Sequence, residues 1–438
     1  MPEWRPPSVD SIVRSLDDGT LPRPLVVEAV RHVIDEARQH PETDVTAAVQ
    51  RRLDEIRRSL PRRVVNATGV ILHTNLGRAP WSADAVTAVA TVSAGYANIE
   101  LDLQTGERGG RNAAAESLVT TLTGAEAALV VNNNASAVFL TLLALGQDGP
   151  VPVSRGELLE IGGSYRLPEL MAAAGAQLAE VGTTNRTRVD DYAAVTNPAL
   201  LLKVHPSNYR VVGFSSEATI QELADLADAR GVPLVFDAGS GLRDDRTPWL
   251  ARPPAWLAGE PGVRQALQAG ADLVLFSGDK LIGGPQAGII VGSAELVGRL
   301  RAHPATRALR VDGATTAALA ATLSAYLSGR TDELPLWRMA TTSTEDIRAR
   351  SASVVADSGV PARLVDGFST VGAGSAPGAE IATCLIEVDG ADRVYSGLLA
   401  SDPPVVGRRD SGSLLLDLRT VDPSDDHLVT AALRRLWE

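Results

Sequence analysis

Between about residues 64 and 300, short apolar runs alternate with stretches of helical periodicity, and this alternation constrains the fold more than any other feature of the chain. The apolar runs predict strands over Ala128–Val131, Val151–Val153, Gln177–Val181, Leu200–Val204, Leu234–Phe236, Leu273–Phe276 and Ala287–Val291. Helical spacing fills several of the gaps, for instance Ala135–Leu145 and Thr219–Arg230. Strands of continuous rather than alternating hydrophobicity suit a sheet covered on both faces, and helices between them make its strands mainly parallel. Ligands of such sheets sit in the loops at the carboxyl ends of the strands.

The flanks read differently. Residues 1–60 form a small helical module: a short amphipathic stretch from Ser8 to Leu16, a helix opened by Pro24, and a third over Thr43 to Leu60. The third ends in RRLDEIRRSLPRR, where Arg51, Arg52, Arg57, Arg58, Arg62 and Arg63 face Asp54 and Glu55. A solvated helix face explains that run, and so does a phosphate-contacting patch. A long helix over Thr315–Leu327 leads into an α+β segment. There residues 344–359 read as a helix, 384–388 and 413–421 as strands, and Ser424 as the N-cap of a closing helix. The expected domains are 1–63, 64–310 and 311–438.

Charge and composition narrow the function classes. With 53 acids against 41 bases the net charge is −12, which argues against a general nucleic-acid coat or a membrane-surface protein. The single cysteine, Cys384, excludes a disulfide scaffold and a Cys-rich zinc site, and no metal is called for. With no membrane-length apolar run and no signal-like start, a cytoplasmic location is expected. Of the 41 bases only Lys203 and Lys280 are lysines. Arginine stays protonated, whereas a lysine amine can lose its proton and form an imine, so carbonyl chemistry has two candidates here.

Three strand ends carry the chemistry. VVNNNASA runs from a strand into a helix through small residues, and Asn133, Asn134, Ala135 and Ser136 suit a phosphate at a helix N-terminus, although taken alone the segment reads first as ordinary Asn capping. In LVFDAGSG, Asp237 ends a buried strand and needs a partner; a protonated pyridine nitrogen is one, a metal or a turn cap are others. In LVLFSGDKLIGGPQAG, Ser277 and Asp279 lead to Lys280, where desolvation would favour the reactive neutral amine. The order Asn loop, Asp, Ser-x-x-Lys matches the layout of fold-type I pyridoxal phosphate enzymes. It favours Lys280 over Lys203, which is left to contact substrate or neighbouring structure.

Longer segments make the likeness specific. RRVVNATGVILHTNLGRAP (62–80), GYANIELDLQTGERGGRN (95–112), SRGELLEIGGSYRLPE (154–169), LLKVHPSNYRVVGF (201–214), LFSGDKLIGGPQAGIIVG (275–292) and HPATRALRVD (303–312) resemble the bacterial selenocysteine synthases over nearly the whole chain. Departures from the family pattern fall at Gly110, Asn112, Ser136 and Ala238. The resemblance implies an α/β fold-type I transferase, with a mainly parallel seven-stranded sheet in the large domain, an α+β C-terminal domain and a small helical N-terminal domain.

It further implies conversion of L-seryl-tRNA(Sec) to L-selenocysteinyl-tRNA(Sec), with selenophosphate as selenium donor, through a dehydroalanyl intermediate. Pyridoxal 5'-phosphate would be held by Lys280, with Asp237 on its ring nitrogen, Asn133, Asn134, Ala135, Ser136 and Ser277 around it, and Asp279 assisting Lys280. Arg78, Arg307 and Arg310 would take selenophosphate, since the planar guanidinium matches oxyanions in fork geometry. The N-terminal module would recognise the tRNA body, through Arg51, Arg52, Arg57 and Arg58, and the subunits would form a ring of dimers, a decamer. The alternatives are a related lyase or ammonia-lyase acting on a small amino acid or amino sugar phosphate, expected to lack the N-terminal module, and a non-catalytic tRNA-binding homologue.

Overall fold

The computed structural model describes residues 7–40, 42–161, 165–372 and 374–437; residues 162–164 of the family-like segment 154–169 lie outside these. The chain forms two compact units, one of residues 1–64 with 402–404, the other of residues 65–401 with 405–438.

In the first unit, helices α1 (Val9–Leu16), α2 (Arg23–Ala37) and α3 (Val45–Ser59) follow the expected spans within two residues. Ser8 and Asp44 cap α1 and α3 with their side chains, satisfying first-turn N–H groups that have no intrahelical acceptor. Val13, Val26, Val30, Val33, Val49 and Leu53 recur at helical spacing, and all are buried in one small core.

In the second unit all seven expected strands form: β1 (Ala127–Val131), β2 (Pro150–Ser154), β3 (Gln177–Val181), β4 (Leu201–Val204), β5 (Leu234–Gly239), β6 (Leu273–Ser277) and β7 (Gly288–Gly292). Their ladders make a five-stranded sheet in the order β1-β7-β6-β5-β4 and a separate parallel pair, β2–β3, rather than one continuous seven-stranded ladder. The pair lies beside β4, and Ala199 N–H donates to the Pro150 carbonyl. Strand β7 runs antiparallel to both its neighbours, whereas β4–β5 and β5–β6 are parallel. The sheet is therefore mixed. The cause is local: residues 278–287 between β6 and β7 contain no helix, and without a crossover the chain can only turn back.

Alternate residues of the strands feed two cores. Val130, Phe236, Val274, Phe276 and Ile289 pack on one face; Leu129, Val131, Val235, Leu275 and Ile290 pack on the other. At about 1.5–3 kcal/mol for each fully buried large apolar side chain, these rows fix the register of the sheet. That register aligns one edge. Gly288 is paired with both Val131 and Ser277, and Val204 with Asp237, so the loops after β1, β4, β5 and β6 emerge together.

After the sheet come α4 (Ala305–Leu309) and α5 (Gly313–Leu327), then an antiparallel sheet in the order β8 (Ala362–Thr370), β9 (Glu380–Asp389), β11 (Ser413–Asp417), β10 (Arg408–Asp410). The segment 413–421, expected as one strand, leaves the ladder at Asp417 and turns over Leu418–Thr420. Asp417, fully buried, accepts from Ser369 and Thr383 hydroxyls, while Arg419 donates to the carbonyls of Met339, Thr342 and Ala382. Ser424 is not an N-cap. Asp422 accepts its N–H and starts a 3-10 turn over Pro423–Asp425, and the α-helix begins at Asp426. Proline's fixed φ suits the first position of a helical turn, which moves the start forward to Asp422.

Candidate active site

The aligned sheet edge gathers Asn134, Asp237, Asp279 and Lys280. Asp237 Oδ1 accepts from Asn134 Nδ2 at 2.7 Å and from Gly239 N–H at 3.1 Å, which leaves Oδ2 without a donor among the described residues. Burial pushes the Asp237 carboxyl up from its ordinary value; the Asn134 bond and the Lys280 charge pull the other way. Lys280 is 4% exposed. Burial, then the like charge of Arg78, brings its amine down to about 8, against the opposing pull of Asp237, Asp279 and Glu260. Among the described residues the amine makes no hydrogen bond or ion pair. Asp279 is pushed up by burial and held partly in check by Arg78 and Lys280.

Arg78 reaches this cluster at a conformational cost. Gly77 and Arg78 have φ of 89° and 63°, a left-handed step that is unfavourable for a residue with a Cβ. The turn docks through Ala79 N–H on the Asp279 carbonyl and sets Arg78 Nε 3.5 Å from Asp279 Oδ2. A loop from the C-terminal part closes the other side: a Cβ on Gly374 would lie 2.8 Å from Lys280 Nζ.

The Asn loop divides its labour. Asn133 caps the helix Asn134–Leu145 by accepting Ser136 N–H at 2.8 Å, as ordinary capping would have it. Asn134 is turned to Asp237. The N–H groups of Asn134 and Ala135 lie ahead of the helical ladder and remain available to an anion. Ser277 is buried at the end of β6.

The three arginines expected at the anion stand on two elements, Arg78 on the turn at Asp279 and Arg307 and Arg310 on α4 and at its C-terminal end. Arg310 Nη1 lies 3.6 Å from Glu100, a carboxylate also paired with Arg108 and Arg111. Its helix α4 abuts the Asn loop, because Asn132 N–H donates to the Leu309 carbonyl at 2.8 Å. Arg307 is exposed on α4. Lys203 is bound into neighbouring structure, 3.0 Å from Glu157 and 2.8 Å from Glu217. Burial works against its ammonium, but the two carboxylates outweigh it and raise its pKa. Of the module's arginines, Arg57 is held by Asp18, Asp54 and Thr20, and Arg52 by Glu55, while Arg51 and Arg58 are exposed.

The departures from the family pattern are accommodated. Asn112 is buried and donates to the Val130 carbonyl while accepting from Thr316, and Ala238 packs in the core. The sequence reading missed His205, Ser207, Ser240 and Glu260. His205 and Ser207 lie in the quoted segment 201–214 and Ser240 in LVFDAGSG, so only strand-end position marked them; Glu260 carried no signal. A cavity of about 410 Å³ beside the cluster is lined by His205, Tyr209, Glu157 and Glu260 among others.

Comparison with known proteins settles the family. The family model for L-seryl-tRNA selenium transferase matches residues 64–422. The chain belongs to the L-seryl-tRNA(Sec) selenium transferase family. It is 43% identical to the L-seryl-tRNA(Sec) selenium transferase of Nitratidesulfovibrio vulgaris, covering 98% of this chain and 97% of that relative. It is 45% identical to that of Geobacter sulfurreducens, covering 98% and 96%. Both matches span nearly the whole chain, so the family likeness extends beyond the residues that the family model matches. A solved D-glucosaminate-6-phosphate ammonia-lyase matches at TM-score 0.61 and 20% identity over 86% of this chain and 96% of that one, and shows the fold-type I arrangement.

Proposed function

We propose that this chain converts L-seryl-tRNA(Sec) to L-selenocysteinyl-tRNA(Sec), using selenophosphate as selenium donor and pyridoxal 5'-phosphate held at Lys280. The observation that carries the reading is a buried, low-pKa Lys280 beside a buried Asp237 in a chain of this family.

The residues present fit the cofactor. Asp237 Oδ2 is free for a ring nitrogen, and Asn134 Oδ1, Ser207 Oγ and Ser240 Oγ are buried without a partner among the described residues. When bound, pyridoxal phosphate supplies an electron sink for the bond broken at the substrate's α-carbon. Lys280 is the base for the α-proton: at neutral pH about a tenth of an amine of pKa 8 is unprotonated, against about one in three thousand for an ordinary lysine. Asp279 and Arg78 fix the charge around that amine. The N–H groups of Asn134 and Ala135 receive the cofactor phosphate. Arg78, with Arg307 and Arg310, receives selenophosphate. Arg51 and Arg58 are the module's contacts to the tRNA backbone, and Arg57 holds the module together. The enzyme works as a homo-oligomer in the cytoplasm, where charged tRNA is found.

The test is to incubate the protein with seryl-tRNA(Sec), selenophosphate and pyridoxal phosphate and to identify the esterified amino acid by mass spectrometry. Selenocysteine supports the reading; serine recovered unchanged, from protein that has taken up the cofactor, refutes it.

A further inference from the structure

Glu260 lies in the connection from β5 to β6, between a 3-10 turn (Ala255–Leu257) and a short helix (Val263–Gln268), and its side chain is 1% exposed. One of its oxygens serves two elements. Oε2 accepts Ala376 N–H at 2.9 Å and stands 3.5 Å from His205 Nε2. Ala376 has a φ of 44°, a conformation that a residue with a Cβ holds only where its surroundings impose it. Two residues before it, Gly374 packs against the Lys280 amine. On the other side, His205 N–H donates to the Asp237 carbonyl at 2.9 Å.

Two atoms remain unexplained by packing. Glu260 Oε1 and His205 Nε2 are both buried without a hydrogen bond among the described residues. An unsatisfied buried carboxylate oxygen is costly, and native chains keep few of them. If the only task were to bind one loop N–H, an uncharged acceptor would serve at lower cost.

We propose that Glu260 is a positioning residue of the Lys280 site: by accepting the Ala376 N–H it seats the 374–376 turn against the amine. The proposal takes its significance from the reading of Lys280 as the cofactor lysine, but its contacts are testable without cofactor. The charged groups acting on the amine are Arg78, Asp237, Asp279 and Glu260. Removing the Glu260 charge therefore lowers the Lys280 midpoint, because one of three attractions to the ammonium is lost.

The scarcity of lysine makes this measurable. In protein labelled with [13Cε]lysine and freed of cofactor, two side-chain signals are expected, from Lys203 and Lys280. Glu260→Gln keeps an acceptor for Ala376 N–H and removes the charge. It should move the Lys280 midpoint down, with the Lys203 midpoint unmoved as internal reference. Glu260→Ala should add a roughly tenfold loss of hydrogen-exchange protection at the Ala376 amide. A Lys280 midpoint unchanged in folded Glu260→Gln overturns the proposal, even if Glu260→Ala does not fold, and so does an Ala376 amide that keeps wild-type protection in folded Glu260→Ala. Failure of the cofactor reading would appear separately, as wild-type protein that takes up no pyridoxal phosphate.

Discussion

Replacing Lys280 by methionine should stabilise the cofactor-free protein at neutral pH. The amine is held near 8 in the fold and titrates near 10.5 in an unfolded chain. Its folded pKa is depressed, so at pH 7 the unfolded state binds the proton more readily and the fold bears the difference. A gap of about 2.5 units corresponds to about 3 kcal/mol. By linkage, that cost is fully present below pH 8, and stability recovers as pH rises from 8 to 10.5. Methionine fills similar volume with no proton to bind. For a unit of this size, about 3 kcal/mol should raise the melting temperature by about 4 °C. The assay is thermal unfolding of both cofactor-free proteins at pH 7 and pH 10. Lys280→Met should melt higher at pH 7, and the two should approach each other at pH 10. A variant that melts at or below the wild type at pH 7 would show that the three nearby carboxylates outweigh burial, and the amine would then have no bias toward its neutral form.

Other substitutions separate the roles assigned above. Asn134→Ala removes the 2.7 Å bond to Asp237, which should push that carboxyl further up and weaken pyridoxal phosphate binding about tenfold by spectral titration. Gly288→Ala drives a Cβ into the Asn133 carbonyl, and should cost about 1–3 kcal/mol in thermal unfolding together with cofactor affinity. Lys203→Met leaves Glu157 buried without its partner and should cost about 3–5 kcal/mol, seen as a lower urea midpoint. Arg51→Ala with Arg58→Ala should weaken tRNA binding and reduce the salt slope by about one for each phosphate no longer neutralised, leaving cofactor uptake intact.

What was legible in the sequence was what local pattern controls. Six of the seven strands could be read as short apolar runs bounded by polar or glycine-rich residues, β3 (QLAEV) being the mixed one, and the antiparallel β7 was the one departure in direction. Nothing in the composition of GIIVG distinguishes a strand that turns back from one that crosses over; only the missing helix before it does. Lys280 stood out because arginine has replaced lysine almost everywhere else. The Asn133 reading was open between capping and phosphate binding, and capping is what the side chain does. The bond between Asn134 and Asp237 was hidden, since 103 residues separate them and only the register of the sheet joins them. Glu260 was hidden more deeply, in a segment with no periodicity.

Both lysines are buried, Lys203 at 6% and Lys280 at 4% exposure, and Lys203 is clamped between two carboxylates. Free aldehydes react indiscriminately with surface amines, and most proteins of this length would offer dozens of side-chain decoys. This chain offers none on its exterior, so on the function proposed above an aldehyde cofactor would have a single productive side-chain destination, and stoichiometric loading should need little excess over the number of subunits.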